Sequence, residues 1–237
     1  MDFYISFLME NWWRFICVSI IAYLLGSINT AVMVTKIVTK GKKDIRQMGS
    51  GNAGFTNVLR SVGKTPAIVT IVCDALKCVI AVFIGGLIFS MISTDNQVLS
   101  TEFINCGKYI AGIFCIVGHS YPVYFHFKGG KGVVTAAGLM LSEDWRVFLL
   151  ILGTFLIVFI FSKIISLASI TCAALYAPYT FGATFIFDYL NGDFSLAYVL
   201  LSTSAALVIG VFVIVKHKDN IKRLIRGEEK KITSKKS

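Results

Sequence analysis

Phe194-Ser-Leu-Ala-Tyr-Val-Leu-Leu-Ser-Thr-Ser-Ala-Ala-Leu-Val-Ile-Gly-Val-Phe-Val-Ile-Val215 runs its whole length without a charged residue. An uncharged apolar run longer than about 18 residues reads as a helix crossing a bilayer. Phe15 to Thr35 and Ile164 to Phe187 are two more such runs. The chain as a whole is 56% hydrophobic and only 15% charged, with three prolines, a balance that soluble domains rarely show. These values predict an all-α integral membrane protein. Asp2 and Glu10 precede the first apolar run where a secretory signal would carry Lys or Arg, so that run reads as a retained span.

Working outward gives seven transmembrane helices in a single membrane domain, residues 1–237. The spans run from about Trp12 to Thr35, Pro66 to Met91, Asn105 to Phe127, Val133 to Ser142, Val147 to Ser162, Ile164 to Phe187 and Phe194 to Val215. Trp12 and Trp13 suit an interfacial anchor. The fourth span is short, since Gly132 to Ser142 would rise only about 16 Å against roughly 30 Å of hydrocarbon. It reads as a half-length crossing whose glycine-rich start is recessed in an aqueous groove.

Lysine and arginine are enriched in cytoplasmic loops. Lys36, Lys40, Lys42, Lys43, Arg46, Arg60 and Lys64 crowd the loop 36–65 against the one acid Asp44. The tail 216–237 is basic too, and Lys128, Lys131 and Lys163 mark other turns on that side. Acids collect in the intervening segments: Asp2 and Glu10, Asp95 and Glu102, Glu143 and Asp144, Asp188 and Asp193. The expectation is an extracellular N-terminus (1–11) and a cytoplasmic C-terminus. The basic tail either binds anionic headgroups or only marks the cytoplasmic side.

Two glycine-rich stretches carry candidate chemistry. The first is Gly49-Ser-Gly-Asn-Ala-Gly-Phe-Thr-Asn-Val-Leu-Arg60 in the loop 36–65. Closely spaced glycines let backbone N–H groups converge on an anion. Ser50, Asn52, Thr56 and Asn57 add neutral donors, and Arg60 adds a planar cation suited to phosphate. The other reading of this stretch is a flexible connector. The second is Lys128-Gly-Gly-Lys-Gly132, which leads into the short span.

Asp74 and Lys77 lie three apart inside an apolar segment, either as a packing ion pair or as a functional pair. Ser166 and Ser169 lie near one helical turn apart, and His217 and Asn220 share a face at the cytoplasmic boundary. None of the six cysteines forms a C-x-x-C pair, which favours packing over metal or redox chemistry.

In chain order, Leu25-Gly-Ser-Ile28, Gly49-Ser-Gly-Asn-Ala-Gly-Phe-Thr-Asn57 with Arg60, Asp74-Ala-Leu-Lys77, Gly118-His-Ser-Tyr-Pro-Val-Tyr-Phe125, Phe127-Lys-Gly-Gly-Lys-Gly-Val133, Ser166-Leu-Ala-Ser169 and His217-Lys-Asp-Asn-Ile221 form one pattern. From about Ala22 to Gly227 the chain closely resembles the bacterial acyl-phosphate-dependent glycerol-3-phosphate acyltransferases, the PlsY family. The resemblance implies a seven-helix enzyme of the bacterial plasma membrane with its active site facing the cytoplasm. It implies transfer of a fatty acyl group from acyl phosphate to the sn-1 hydroxyl of glycerol 3-phosphate, giving lysophosphatidic acid and phosphate. Ser50, Arg60, Lys131 and His217 match the positions expected to be catalytic. Gly49, Gly51, Asn52, Gly54, Thr56, Asn57, Lys128, Gly129, Gly130, Ser169 and Asn220 match those expected to bind substrate. Asn29 stands where the family often has proline, Phe55 replaces a common alanine, and Cys78 replaces a usual glycine. The first two are expected to alter packing only, and Cys78 puts a close helix contact at that point in doubt.

The expected partners are glycerol 3-phosphate, acyl phosphate and membrane lipid, with no cofactor, metal, nucleic acid or obligate protein partner. An acyl phosphate has a good leaving group, so positioning and oxyanion stabilisation carry most of the demand. The general base is His217 or a substrate phosphate. His119, His126 and His217 are followed five residues later by Tyr124, Lys131 and Lys222, so the His-Asp pairing of another acyltransferase family is absent. A membrane transporter for a phosphorylated solute is the alternative function, and it predicts an internal repeat that the sequence does not show. The run G-x-x-x-x-G-K-[ST] of nucleotide-using enzymes does not occur, and the acids within the spans reduce to Asp74, against the aspartate cluster a CDP-alcohol phosphotransferase needs.

Overall fold

Inside hydrocarbon every backbone N–H and C=O must find a partner within the protein, and a helix does this within a single segment. The computed structural model describes residues 2–232; Met1 and the tail residues 233–237 fall outside it. Among the described residues there are helices and turns but no strand. Five helical stretches among the described residues are long and apolar enough to cross a membrane: Met9–Val38, Lys64–Ser90, Trp145–Ser162, Ile165–Tyr189 and Leu196–Lys216. The chain divides into two compact units, Met1–Glu143 and Asp144–Ser237.

In the first unit, the first apolar run is broken where the sequence predicts one continuous span. Helix α1 (Asp2–Gly26) stops and α2 (Thr30–Val38) restarts after Asn29. The Asn29 side chain caps α2 by accepting the Val32 N–H at 3.1 Å. Asn29 therefore does more than pack. The break leaves the Ile28 carbonyl to a partner outside the helix, and Lys77 Nζ supplies it at 2.7 Å.

Two short pieces follow, a 3-10 turn at Ile45–Gln47 and helix α3 (Phe55–Ser61). Helix α4 (Lys64–Ser90) has 27 residues, a rise of about 40 Å. Helix α5 (Gln97–Ser120) begins well before the predicted Asn105, because Asn96 accepts the Val98 and Leu99 N–H groups as an N-cap. Its 24 residues rise about 36 Å, enough to span, although Glu102 and Lys108 interrupt its apolar character. Helix α6 (Val133–Glu143) has 11 residues and is the short apolar helix that the sequence predicts.

Helices in lipid gain little from burying apolar surface against each other, so close packing has to hold them. Here α1 and α5 touch backbone to backbone: a Cβ on Gly26 would overlap the Cys115 carbonyl, and one on Gly118 the Tyr23 carbonyl. Between α4 and α5 the fit is reciprocal, a Cβ on Gly85 falling 2.5 Å from Gly107 O and one on Gly107 2.6 Å from Gly85 O. The close approach that Cys78 put in doubt survives between α4 and α6. Cys78 is fully buried, and Gly138 provides the room, its Cβ position lying 3.2 Å from Cys78 Cβ and 2.7 Å from Ala75 O.

In the second unit, α7 (Trp145–Ser162) is capped by Asp144, which accepts the Arg146 N–H at 2.9 Å. The Arg146 guanidinium also bonds both oxygens of Asp188, at 3.0 and 2.8 Å. Helix α8 (Ile165–Ala183) contains Pro178 and continues into a wider π turn at Thr184–Tyr189. Helix α9 (Leu196–Lys216) packs on α8 through Gly210, whose Cβ would overlap the Ala173 carbonyl. The short α10 (Lys218–Ile225) follows at His217.

Candidate functional site

The first glycine-rich stretch folds around its own apolar core, which answers the flexible-connector reading. Ala31, Val32, Ile45, Ala53, Val58 and Ala67 are fully buried together, with Met48, Phe55, Leu59, Val62 and Phe125 packed against them. Asn57 is the polar hub of this fold. Its Nδ2 lies 3.0, 2.8 and 3.0 Å from the carbonyls of Ile45, Met48 and Asn52, to which it donates. Its Oδ1 accepts the Ser50 N–H at 3.1 Å. Gly49 has φ +55°, and a Cβ there would overlap Asn57 Oδ1, so the tight approach requires glycine. Gly51 donates back to Met48 O at 2.9 Å.

The fold directs the remaining residues outward. Ser50 is exposed, Asn52, Gly54 and Thr56 are half-buried, and Arg60 is exposed on the last turn of α3. Arg46 ties the loop to the segment after α5: its Nη1 donates to Phe125 O at 2.7 Å while Nη2 pairs with Asp44 at 2.6 Å. The guanidinium hydrogen bond holds the Asp44 carboxyl below its ordinary range, and Asp44 in turn raises Arg46.

The second glycine-rich stretch is laid against the end of α5. Gly130 N–H donates to the His119 carbonyl at 3.1 Å. A Cβ on Gly129 would overlap that same carbonyl and fall 2.7 Å from Pro122 Cδ. Lys128 is exposed and Lys131 is half-buried, one residue before Gly132 (φ +82°) starts the turn into α6. The two glycine-rich stretches meet: the Cβ position of Gly130 lies 2.9 Å from Ala53 O. A loop bearing Ser50 and Arg60 is thus in backbone contact with a turn bearing Lys131.

The second unit holds its own polar group. His217 is buried at the junction of α9 and α10. Its Nδ1 is 2.7 Å from the Val213 carbonyl, which can only accept, so Nδ1 carries the hydrogen and Nε2 is the basic nitrogen of the neutral ring. Asn220 Nδ2 donates to Glu229 at 2.7 Å, Ser166 Oγ to the same oxygen at 2.8 Å, and Arg223 Nε to the other at 2.6 Å. Ser169 is buried with its hydroxyl bonded to Ile165 O one turn back. Burial alone would raise the Glu229 carboxyl, but the hydrogen bonds from Arg223, Ser166 and Asn220 outweigh it and hold it below its ordinary range.

Sequence reasoning assigned no site role to Arg46, His119 or Glu229. Arg46 has a signal in Asp44 two residues away, but its bond to Phe125 is long-range. Glu229 has none beyond being an acid in a basic tail.

The geometry alone supports an anion-handling membrane protein. Comparison with known proteins decides which one. Residues 16–227 match the model of the family described as glycerol-3-phosphate acyltransferase. The chain belongs to the glycerol-3-phosphate acyltransferase family. It is 40% identical over 217 residues to the glycerol-3-phosphate acyltransferase of Prochlorococcus marinus, covering 92% of this chain and 97% of that one. It is 39% identical over 229 residues to the enzyme of that name from Paraburkholderia phymatum, covering 96% and 95%. Among solved structures, it is similar to PlsY, an integral membrane glycerol 3-phosphate acyltransferase, in its glycerol 3-phosphate form. That match has a TM-score of 0.70 and 33% identity, over 92% of this chain and 96% of that one. The lysophosphatidic acid form of PlsY matches with a TM-score of 0.69. This acyltransferase is accordingly a multi-pass integral membrane enzyme of phospholipid synthesis, not a solute transporter.

Proposed function

We propose that the enzyme takes its acyl group from acyl phosphate and places it on the sn-1 hydroxyl of glycerol 3-phosphate, at the cytoplasmic face of a bacterial plasma membrane. The observation that carries this reading is the backbone contact between the two glycine-rich stretches at Ala53 and Gly130. On this reading Ser50, Arg60 and Lys131 hold substrate phosphate, with the amides of Gly49 and Gly129 and the side chains of Asn52, Thr56 and Lys128 assisting, while Gly51, Gly54 and Gly130, whose N–H groups donate to the Met48, Asn52 and His119 carbonyls, shape the two loops around it. Asn57 serves this site from within, since its amide bonds the loop's own backbone.

In the reaction the glycerol hydroxyl oxygen attacks the acyl carbonyl carbon, a tetrahedral oxyanion forms, and the bond from carbonyl carbon to phosphate oxygen breaks. Inorganic phosphate leaves with the electron pair. The hydroxyl proton goes to a phosphate oxygen of substrate or to a general base, for which family resemblance offers His217, as it offers Ser169 and Asn220 for substrate binding. Fixed cations and amides facing the developing charge lower the barrier because they need no reorganisation as it forms. Apolar helix surface holds the acyl chain, each buried methylene contributing about 0.8 kcal/mol.

The same reading makes α1 with α2, α4, α5, α6, α7, α8 and α9 seven crossings, with the N-terminus outside and the lysine-rich tail inside. The enrichment of Lys and Arg in 36–65 and 216–237 supports that orientation. The test is purified enzyme with glycerol 3-phosphate and one long-chain donor in three forms: acyl phosphate, acyl-CoA and acyl carrier protein. Lysophosphatidic acid and phosphate are expected from acyl phosphate alone. Turnover from either thioester but not from acyl phosphate would overturn the donor assignment.

A further inference from the structure

A buried charged cluster in the first unit is used by none of these steps. Lys77 Nζ lies 2.7 Å from Ile28 O, 2.8 Å from Asp74 Oδ1 and 3.0 Å from His119 Nδ1. Asp74 Oδ1 also accepts from Thr30 Oγ1 at 2.6 Å. Asp74, Lys77 and His119 are all buried, on α4 and α5.

An ammonium has three hydrogens and no lone pair, and here it has three neighbours. Two of them are oxygens that only accept. The third, His119 Nδ1, also lies 3.5 Å from Asp74 Oδ1, but Lys77 Nζ is nearer at 3.0 Å, and as the acceptor for that ammonium Nδ1 leaves the hydrogen of the neutral imidazole on Nε2. The cluster therefore fixes both the tautomer and the orientation of the ring. Its far end faces Gly130: a Cβ there would overlap His119 Nε2, and that same point is 2.9 Å from Ala53 O. The backbone of His119 holds Gly130 too, accepting its N–H at 3.1 Å. One residue thus grips Gly130 through both its carbonyl and its ring, at the place where the two glycine-rich stretches meet.

We propose that His119 is a positioning residue for the acceptor substrate. Its Nε2–H, aimed by Lys77, holds the contact between Gly130 and Ala53 and so sets the spacing between Lys131 and the Ser50–Arg60 loop. This deepens the proposed function and rests on it. The Asp74–Lys77 pair is then more than a packing device, because it orients the ring that joins the two halves of the phosphate grip.

Two substitutions separate the ends of the ring. Glutamine restores a donor near the Nε2 position and leaves Lys77 without its ring acceptor. Asparagine keeps an acceptor near Nδ1 and removes the far donor. Washed membranes carrying wild type, His119→Gln or His119→Asn are assayed with saturating long-chain acyl phosphate and varied glycerol 3-phosphate. Enzyme amount is normalised by immunoblot, and KM does not depend on it. His119→Asn is expected to raise the KM for glycerol 3-phosphate about tenfold, the size of one lost net hydrogen bond, with kcat within about threefold. His119→Gln is expected to keep KM within about threefold of wild type. A wild-type KM in His119→Asn overturns the proposal, as does an equal rise in both variants. Loss of His119→Asn from the membrane also overturns it, since that variant keeps the acceptor for Lys77. Where His119→Gln is the variant lost, the His119→Asn KM decides alone. Wild-type turnover in the same membranes is the separate control: if acyl phosphate gives none, the donor assignment fails, and the variants are compared with whichever donor the wild type uses.

Discussion

Replacing Asn57 by alanine tests the hub of the first glycine-rich loop without touching any helix of the membrane core. The change removes the acceptor for Ser50 N–H and the donors to the Ile45, Met48 and Asn52 carbonyls. These losses are unequal. Ser50, Met48 and Asn52 are exposed or half-buried, so water can replace the lost bonds there. Ile45 is fully buried, and its carbonyl would keep the Met48 N–H at 3.2 Å but lose the Asn57 donor with no water to replace it. Each hydrogen bond contributes about 0.5–1.5 kcal/mol net, the lower end applying where water replaces it. The loop should therefore lose about 2–3 kcal/mol of local order, a fall of roughly thirty- to hundredfold in its assembled population. The expected result is a similar fall in kcat/KM for glycerol 3-phosphate, with thermal unfolding in detergent nearly unchanged. Asn57→Asp should be worse than alanine, because it turns a carboxylate toward three carbonyls. Steady-state kinetics at several glycerol 3-phosphate concentrations, alongside a thermal-shift scan, reads both quantities. An alanine variant within threefold of wild type, or an aspartate variant more active than alanine, would refute the hub.

The other predictions concern helix packing, the tail and proton transfer. Gly118→Ala puts a methyl into the Tyr23 carbonyl and forces α1 from α5, so it should cost about 1–3 kcal/mol by overpacking and lower the unfolding temperature in detergent; an unchanged midpoint would mean that the pair separates freely. The folded Glu229 carboxyl lies below its ordinary 4.5, so its hydrogen bonds stabilise fully above that value and are lost as pH falls through the folded one. The stability gap between wild type and Glu229→Gln should accordingly be flat near neutrality and close below about pH 4.5, and a gap that widens in acid would contradict the sign. His217→Ala should lower kcat about a hundredfold, the smaller end of general-base effects. Undiminished turnover would leave the proton to the substrate's own phosphate.

The apolar helices were legible because a charge inside hydrocarbon is costly, so uncharged length alone marks Phe194 to Val215. The break at Asn29 was not, since its capping amide sits in a run with no charge to interrupt it. The start of α5 was misplaced because the sequence reading began this span at Asn105, after Glu102, whereas Asn96 caps the helix several residues earlier. Helix α3 was read as loop: Phe55–Ser61 is too short, and too rich in Thr, Asn and Ser, to announce itself, and it exists by packing on Ile45 and Ala53. At the site, the glycines and their basic residues could be read from spacing. Their mutual contact at Ala53 and Gly130 could not, because it joins residues far apart in the chain. The Asp74–Lys77 pair showed its helical spacing, but its third member, His119, comes from another helix. Glu229 reaches Asn220 and Ser166 through tertiary folding, and no local pattern carries that information.

The reciprocal seating of Gly85 and Gly107, repeated where Gly26 and Gly118 let α1 meet α5, has a thermodynamic corollary. Cohesion there comes from dispersion across touching main chains, and expulsion of water contributes almost nothing to it. Its strength is then indifferent to whether tails of detergent, thin bilayers or thick ones surround the protein. Extraction from the native lipid should leave the architecture around Asp74 and the glycine-rich turns standing.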